Sequence, residues 1–328
     1  MLKKIKCALI LTSAFSISGC GIIGYINSLT TTKTNVKVTR ADNSIYAALT
    51  SDNSLFISND GESWNQVTIP KIKANWNNII SITNRLFIVG LNGAIAVSND
   101  GHDWSALDVH DYRLWLYDLA YLNKRYVAVG IGGLSATSRY LNSWEINEIN
   151  SMSWFTAVAT SESQFVACGS RGEIVYSQDG LKWLNSDSIT SNWLSDIEYL
   201  NGTFYAVGAN GTIISSQDAK KWTDLSLDDK TWIYAIAKYN NNLIAVGDKS
   251  TIVTTPIDQQ NDWHKQITNV PVNTTLRTVM VDTNNKIYIA GQYGYVASST
   301  DMHTWTAHHL NTNSTILQIV QLKKIDPQ

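Results

Sequence analysis

The chain has 328 residues, of which 16% are charged and 44% hydrophobic, and its formal net charge is −2. The hydrophobic content is too high for an intrinsically disordered chain, and the lack of a basic excess argues against nucleic-acid binding. The length suggests either two domains or one large β architecture. Tryptophan is unusually frequent, with 12 Trp against 6 Phe, and the fold must explain this excess.

The N-terminal residues have the layout of a secretory signal peptide, in which lysines, an apolar stretch and small residues follow one another. This segment ends in Ile17-Ser18-Gly19-Cys20, which resembles the bacterial lipobox, whose cysteine is acylated. The resemblance implies a signal peptide over residues 1–19, lipid attachment at Cys20 and a tether over residues 20–34. The alternative is an ordinary cleaved signal with an incidental cysteine. Gly21 stands where the inner-membrane retention signal has Asp, which favours the outer membrane if the source is diderm.

A repeated unit then occupies the rest of the chain. A Ser or Thr precedes a Trp in each of seven copies, and a Gly-x-x-Gly pattern stands upstream of it in five of them. Four short strands per copy predict an all-β, seven-bladed β-propeller of four-stranded antiparallel blades over residues 35–328. The seven pairs are Ser58/Trp64, Ser98/Trp104, Ser138/Trp144, Ser177/Trp183, Ser216/Trp222, Thr255/Trp263 and Ser299/Trp305.

The fifth copy shows the predicted strands most clearly. They cover residues 194–199, 204–207, 212–215 and 222–225, and Asn201-Gly202 between the first two is a hairpin signal. Gly208 and Gly211 bracket the turn between the second and third strands. We expect these glycines to supply the positive φ that tight turns require.

The loop before the fourth strand carries a motif in three copies. It reads Ser58-Asn59-Asp60-Gly61-Glu62-Ser63-Trp64 in the first, and the second and fourth copies are alike. These segments resemble the Asp-box, or bacterial neuraminidase repeat, with one residue fewer between Asp and Gly. We expect the Asp to bind backbone amides and the Trp to be buried between sheets, so that the motif shapes a turn and performs no chemistry. The residues assigned to this structural role are Asp60, Trp64, Asp100, Trp104, Asp179 and Trp183.

Among Asp-box propellers, the chain most resembles the photosystem II assembly and stability factor family. The resemblance rests on segments such as Tyr205-Ala206-Val207-Gly208, followed by a second Gly, and it covers nearly the whole mature chain. It implies a non-enzymatic scaffold for the assembly or stability of a membrane or secreted complex. The family's Arg-rich binding surface has no counterpart here, because the Arg residues are few and scattered, so the resemblance does not identify a client.

A second Trp series indicates which face of the propeller binds a partner. Because antiparallel strands alternate in direction, the Gly-x-x-Gly turns and the crossovers between blades share one face, and the Asp-box loops lie on the other. Symmetry predicts a partial ring of crossover Trp residues near the central channel. This ring is either a recognition platform for a protein segment or glycan, or a set of wedges between blades. The candidate partner-binding residues are Trp76, Trp115, Trp154, Trp193, Trp232, Arg113, Arg171 and Tyr293.

The sequence contains no recognisable catalytic constellation. Resemblance to sialidases would imply an Arg-Ile-Pro segment, which is absent, and the acidic residues near the Trp face form no marked pair. These are Asp118, Asp196, Asp228, Asp229 and Asp248. His308-His309 is more consistent with strand residues facing opposite ways than with a metal site, and Cys168 with a buried structural thiol. We therefore expect no catalytic residue, no metal and no cofactor.

Two functions are consistent with the sequence. The first is a cell-envelope lipoprotein, held to the membrane through its lipid anchor, that docks protein partners and binds no nucleic acid. The alternative is a glycan-binding or glycosidase-like surface protein. The sequence also offers two candidates for the strand that closes the ring. Val36–Arg40 and Ile316–Leu322 both look like an innermost strand, which makes eight candidates for seven blades.

Overall fold

A computed structural model describes residues 44–69, 74–109 and 113–322. In these residues, 28 strands form seven four-stranded antiparallel sheets, which confirms the predicted seven-bladed β-propeller. Helical structure in this part of the chain is limited to 3₁₀ turns, and no helix there could cross a membrane. The proposed signal peptide, Cys20, the tether and Val36–Arg40 lie outside the described residues.

The strands follow one another around the ring in chain order. Blades 1 to 3 contain β1 (Ile45–Thr50), β2 (Leu55–Ser58), β3 (Asn65–Val67), β4 (Trp76–Ile82), β5 (Arg85–Gly90), β6 (Ala94–Ser98), β7 (Trp104–Asp108), β8 (Leu116–Leu122), β9 (Arg125–Gly130), β10 (Leu134–Ser138) and β11 (Glu145–Glu148). Blades 4 and 5 contain β12 (Phe155–Thr160), β13 (Phe165–Gly169), β14 (Ile174–Ser177), β15 (Leu184–Asn185), β16 (Leu194–Leu200), β17 (Thr203–Gly208), β18 (Ile213–Ser216) and β19 (Thr223–Asp224). Blades 6 and 7 contain β20 (Ile233–Tyr239), β21 (Asn242–Gly247), β22 (Ile252–Pro256), β23 (His264–Lys265), β24 (Leu276–Val281), β25 (Ile287–Gly291), β26 (Tyr295–Ser299) and β27 (Thr306–His309), and β28 (Ile316–Leu322) completes blade 1.

Blade 5 shows how the sequence pattern produces these strands. The second strand, β17, is buried at every residue from Phe204 to Gly208, because both of its faces are covered by neighbouring blades. A strand buried on both faces has a continuous apolar run, as the sequence shows here. The fourth strand, β19, is exposed and shorter than predicted, since Trp222 leaves the strand and packs into the interior.

The two glycines of each Gly-x-x-Gly turn have different roles. Gly211 has a φ of 72°, as expected for a tight turn. Gly208 has an extended backbone with a φ of −176°, so the expectation that it supplies positive φ is wrong. A Cβ on Gly208 would clash with the carbonyl oxygen of Trp193, the residue before the innermost strand. Five other glycines face the equivalent carbonyl in their own blades, which explains why Gly recurs at this position: Gly90, Gly130, Gly169, Gly247 and Gly291.

The C-terminal strand closes the ring. β28 pairs antiparallel with β1 and forms the innermost strand of blade 1, whose other strands come from the start of the described chain. Ile316, Ile319 and Leu322 of β28 are at most 1% exposed. The last strand of the repeat therefore joins the first blade through hydrogen bonds and apolar packing. Of the two segments that the sequence suggests as the closing strand, Ile316–Leu322 is the one that pairs with β1.

The core is divided into seven apolar clusters, one between each pair of neighbouring blades. Each cluster contains one Trp from a Ser-to-Trp loop, by which we mean the loop joining the third and fourth strands of a blade. The prediction that these Trp side chains lie between sheets is confirmed. They are Trp64, Trp104, Trp144, Trp183, Trp222, Trp263 and Trp305. Cys168 is likewise a buried free thiol, packed between blades 4 and 5.

The Ser-to-Trp loops are held by their polar side chains. In blade 1, Asp60 Oδ1 accepts hydrogen bonds from the amides of Glu62 and Ser63 at 2.8 and 2.7 Å, and the amide of Gly61 donates to Ser58 Oγ. Burial alone would raise the pKa of Asp60, but the two amides lower it to about 2. Blade 3 lacks the Asp yet keeps the turn, with Leu141 at a φ of 66° in place of the glycine. The loop thus shapes a turn, as the sequence predicts.

Candidate functional site at the channel mouth

One end of the ring combines the turns between second and third strands with the last residues of the crossovers between blades. We call this end the channel mouth. The amide of Ile131, in such a turn, donates to the carbonyl of Trp115 in the preceding crossover at 3.1 Å. The equivalent bond links Ser170 to Trp154 at 2.9 Å in blade 4. The crossover Trp series therefore lies at the mouth, on the opposite side from the Ser-to-Trp loops.

Trp76 does not belong to this series, which corrects the predicted five-membered ring. In blade 2, the amide of Leu91 in the mouth turn donates to the carbonyl of Asn75. Asn75 is therefore the equivalent of Trp115 in blade 3. Trp76 is shifted by one residue along its strand and is 5% exposed, packed between blades 1 and 2. The constant spacing of 39 residues hides this shift, because blade 2 is one residue longer than the next blades.

The remaining four Trp residues form an arc on blades 3 to 6. Trp115 and Trp154 are each 40% exposed, while Trp193 and Trp232 are half-buried in the wall of the channel. The rings of Trp154 and Trp193 meet edge to face with centroids 5.7 Å apart. Such aromatic side chains provide large, rigid contact surfaces at low entropic cost. Trp193 and Trp232 are packed against neighbouring side chains, whereas Trp115 and Trp154 are partly exposed, so the arc contains both packed and exposed members.

The arc continues into a stack on the channel wall. Trp232 lies parallel to Tyr234 with centroids 5.6 Å apart, and its Nε1 donates to Ser195 Oγ at 2.6 Å. The guanidinium carbon of Arg277 lies 4.1 Å from the centroid of the Tyr234 ring, a cation–π contact. The sequence pattern places Tyr234 beside Trp232, but it does not indicate that Arg277 from the next blade joins them.

The channel has a volume of about 900 Å³ and is lined by the innermost strand of every blade. Asp118 and Asp196, two of the acidic candidates, lie on its wall and bind neighbouring blades. Asp118 accepts the amide of Val158 at 2.8 Å, and Asp196 accepts the amide of Ile236 at 3.1 Å. Each carboxylate therefore joins its own blade to the innermost strand of the next one.

The position of these carboxylates deep in the ring perturbs their protonation. Burial raises the pKa of Asp118 to about 7 and that of Asp196 to about 6, although backbone amides donate to both. Burial also raises the pKa of Glu198, a channel-lining residue that the sequence reasoning did not single out. Glu198 lines the channel, and its side chain is exposed to it.

The other acidic candidates lie in loops at the mouth. Asp229 accepts the amide of Thr231, and Asp248 accepts Thr275 Oγ1 at 2.9 Å. His308 Nε2 lies 3.0 Å from Ser298 Oγ, whereas the ring of His309 packs against Tyr295. Within residues 44–69, 74–109 and 113–322, no three His, Cys, Asp or Glu side chains are arranged to hold a metal ion.

The other three candidate partner-binding residues lie at the channel mouth. Arg113 is exposed in the crossover to blade 3. Arg171 lies in the turn of blade 4, where its Nη2 donates to Ser153 Oγ at 3.0 Å and lies 3.7 Å from Glu173. Tyr293 lies in the turn of blade 7 and is 71% exposed. Met152 also lies here, 79% exposed and two residues before Trp154, and no repeat pattern in the sequence marks it.

Comparisons with known proteins agree with this architecture. Residues 246–324 match the DUF6242 beta propeller domain. A structure of YCF48 bound to D1 peptide is similar in fold, with a TM-score of 0.60 and 16% sequence identity over 76% of this chain and 86% of that chain. A structure of YCF48 from Cyanidioschyzon merolae is similar as well, with a TM-score of 0.62 and 13% identity over 77% of this chain and 90% of that chain. The WD40 beta propeller domain of Doa1 is also similar (TM-score 0.61, 14% identity, 76% and 86%). No curated protein matches the chain.

Proposed function

We propose that the protein is a non-enzymatic envelope lipoprotein whose propeller docks a protein partner at the channel mouth. The observation that carries this proposal is the distribution of exposed apolar side chains. Six of the nine large ones in the described residues lie in mouth turns or in the crossover stretches next to them: Trp115, Met152, Trp154, Ile189, Val272 and Tyr293. A Ser-to-Trp loop on the opposite face carries one, Tyr140. Clustered exposed apolar residues, Trp and Tyr above all, are typical of protein interfaces.

The hydrogen bonds of the channel carboxylates favour a binding role over catalysis. Asp118 and Asp196 accept hydrogen bonds from backbone amides of the adjacent blades, so they connect neighbouring blades of the ring. YCF48, similar in fold, has been captured with a peptide, and this supports a protein partner for a propeller of this shape without identifying it. The lipobox-like segment ending at Cys20 supports anchoring in the envelope, at the outer membrane if the source is diderm.

The test is affinity capture from detergent-solubilised envelope, comparing the unchanged protein with a Trp115→Ala/Trp154→Ala variant. We expect a discrete protein that the unchanged protein retains and the double variant loses. Tyr140→Ala is the matched control, because it removes an exposed aromatic ring from the opposite face and should retain the partner. The proposal is wrong if no protein is retained, if only glycan is retained, or if the control loses the partner as well.

A further inference from the structure

The face opposite the channel mouth consists of the Ser-to-Trp loops and the turns that join the first and second strands of the blades. We call it the loop face. A turn of one blade contacts the loop of the next blade. The side chain of Gln164, in the turn of blade 4, donates to the carbonyl of Asp218 in the loop of blade 5 at 3.2 Å. Lys286 Nζ, in the turn of blade 7, lies 2.8 Å from Glu62 Oε1 in the loop of blade 1. Loops and turns therefore form one continuous surface.

One half of the loop face is basic. It comprises the loops of blades 3 to 5 and the turns of blades 2 to 4 that adjoin them, which are residues 138–144, 177–183, 216–222, 82–85, 122–125 and 160–165. Its acidic side chains are Glu162, Asp179 and Asp218, and its basic side chains are Arg85, Lys124, Arg125, Arg139, Lys182, Lys220 and Lys221. Six of the seven basic side chains are exposed, and Arg125 is half-buried. None of the seven forms a salt bridge within the part of the chain that the structure describes.

The other half of the loop face is acidic. It comprises the remaining loops and turns, which are residues 58–64, 98–104, 255–263, 299–305, 200–203, 239–242 and 281–287. Its only Lys or Arg is Lys286, which pairs with Glu62, and its acidic side chains are Asp60, Glu62, Asp100, Asp103, Asp258, Asp262, Asp282 and Asp301. The formal net charge of −2 hides this division. A negatively charged surface is therefore attracted by one half of the loop face and repelled by the other.

The described chain begins at the loop face. Thr50, at the end of β1, pairs with Ile316, and the amide of Ser51 donates to the carbonyl of Thr315 as in the other mouth turns. The start of β1 lies at the opposite end, where Ile45 pairs with Leu322. Ser44 stands 24 residues after Cys20 in the sequence. A lipid anchor on Cys20 is therefore joined to the propeller at the loop face.

We propose that the basic half of the loop face binds the anionic headgroups of the membrane that holds the lipid anchor, an inference that rests on the proposed function. Clustered Lys and Arg side chains are attracted to an anionic membrane surface within a Debye length. Tyr140, which is 81% exposed beside Arg139, is of the amphipathic aromatic type that is enriched at membrane–water interfaces. The membrane is the occupant because the anchor brings it to this face.

The expected consequence is orientation of the propeller. The lipid supplies the anchoring, and the basic half turns the loop face toward the headgroups while the acidic half is repelled. The channel mouth, at the other end of the ring, then faces away from the membrane and is open to a protein partner. Without the lipid, binding through the basic half is reversible and depends on salt, because it is electrostatic.

The first test is flotation of the full chain carrying Cys20→Ser with lipid vesicles. In 50 mM salt, vesicles of 30% phosphatidylglycerol and 70% phosphatidylcholine should bind it about tenfold more strongly than pure phosphatidylcholine. Binding should be lost in 500 mM salt. Adding Lys124→Gln/Lys182→Gln/Lys220→Gln should reduce binding about tenfold. The matched control, Lys230→Gln/Lys249→Gln/Lys265→Gln, removes three exposed lysines outside the loop face and should leave binding unchanged.

The second test attaches the environment-sensitive dye NBD to the Cys20→Ser chain through Tyr140→Cys or Tyr293→Cys, since Cys168 is buried. The anionic vesicles should shift the emission to the blue at position 140 and leave it unchanged at position 293. The inference is overturned if neutral and anionic vesicles bind equally, if the control lysines matter as much as those of the loop face, or if only position 293 responds. Capture of the partner at the mouth requires no vesicles, so the docking proposal and this one fail independently.

Discussion

Ring closure by β28 leads to a quantitative prediction at Ile319. This side chain is 1% exposed and lies in the cluster between blades 7 and 1, with Tyr46, Phe56 and Tyr288. Ile319→Ala removes three carbon groups, worth about 2.4 kcal/mol at 0.8 kcal/mol each, and leaves a cavity. We therefore expect the free energy of unfolding to fall by about 3 kcal/mol, measured by guanidinium unfolding followed through tryptophan fluorescence.

The control is the neighbouring residue of the same strand. Gln318 is half-buried on the channel wall, and Gln318→Ala should change the free energy of unfolding by only about 0.5 kcal/mol. Deleting residues 316–328 removes three buried side chains at about 2 kcal/mol each, together with one edge of blade 1. That loss is comparable with the whole stability of an ordinary domain, so we expect no cooperative unfolding transition. An unchanged melting temperature after the deletion would refute closure by β28.

Three further changes test separate parts of the account. Tyr46→Phe removes the buried hydrogen bond from Tyr46 Oη to Asp282 Oδ2, 2.8 Å long between blades 1 and 7; denaturant unfolding should show a loss of about 2 kcal/mol. Because the pKa of Asp118 is raised to about 7 in the folded state, its contribution to stability is present below about pH 4 and lost as pH rises toward 7. Asp118→Asn should therefore reduce the fall in melting temperature between pH 5 and pH 8, and an unchanged fall would contradict the raised pKa. Cys20→Ser should move the protein from the membrane to the soluble fraction of lysed cells, and persistent membrane association would contradict lipid attachment there.

The repeat pattern predicts the architecture because one blade cannot bury its apolar faces without its neighbours. Seven similar copies, each with a Ser-to-Trp loop, therefore predict seven blades with one Trp of these loops between each pair, as observed. The pattern also locates the channel mouth, since strand direction determines which loops share a face.

Individual side chains are harder to predict, because small local shifts change their surroundings. Trp76 and Trp115 match by spacing, yet a shift of one residue buries the first and leaves the second 40% exposed. Gly208 matches a turn signature, but its role is to admit the carbonyl of Trp193, a long-range contact that no local pattern reveals. Arg277 reaches Tyr234 from the adjacent blade, and a single sequence contains no information about such a pairing.

Docking at the channel mouth is tested most directly by hydrogen–deuterium exchange on the complex with the captured partner. Binding should slow exchange in the mouth turns, such as residues 131–133 and 170–172. Exchange in the Ser-to-Trp loops of the same blades, residues 139–143 and 178–182, should not change. Protection confined to the Ser-to-Trp loops, or no protection at the mouth, would contradict the account.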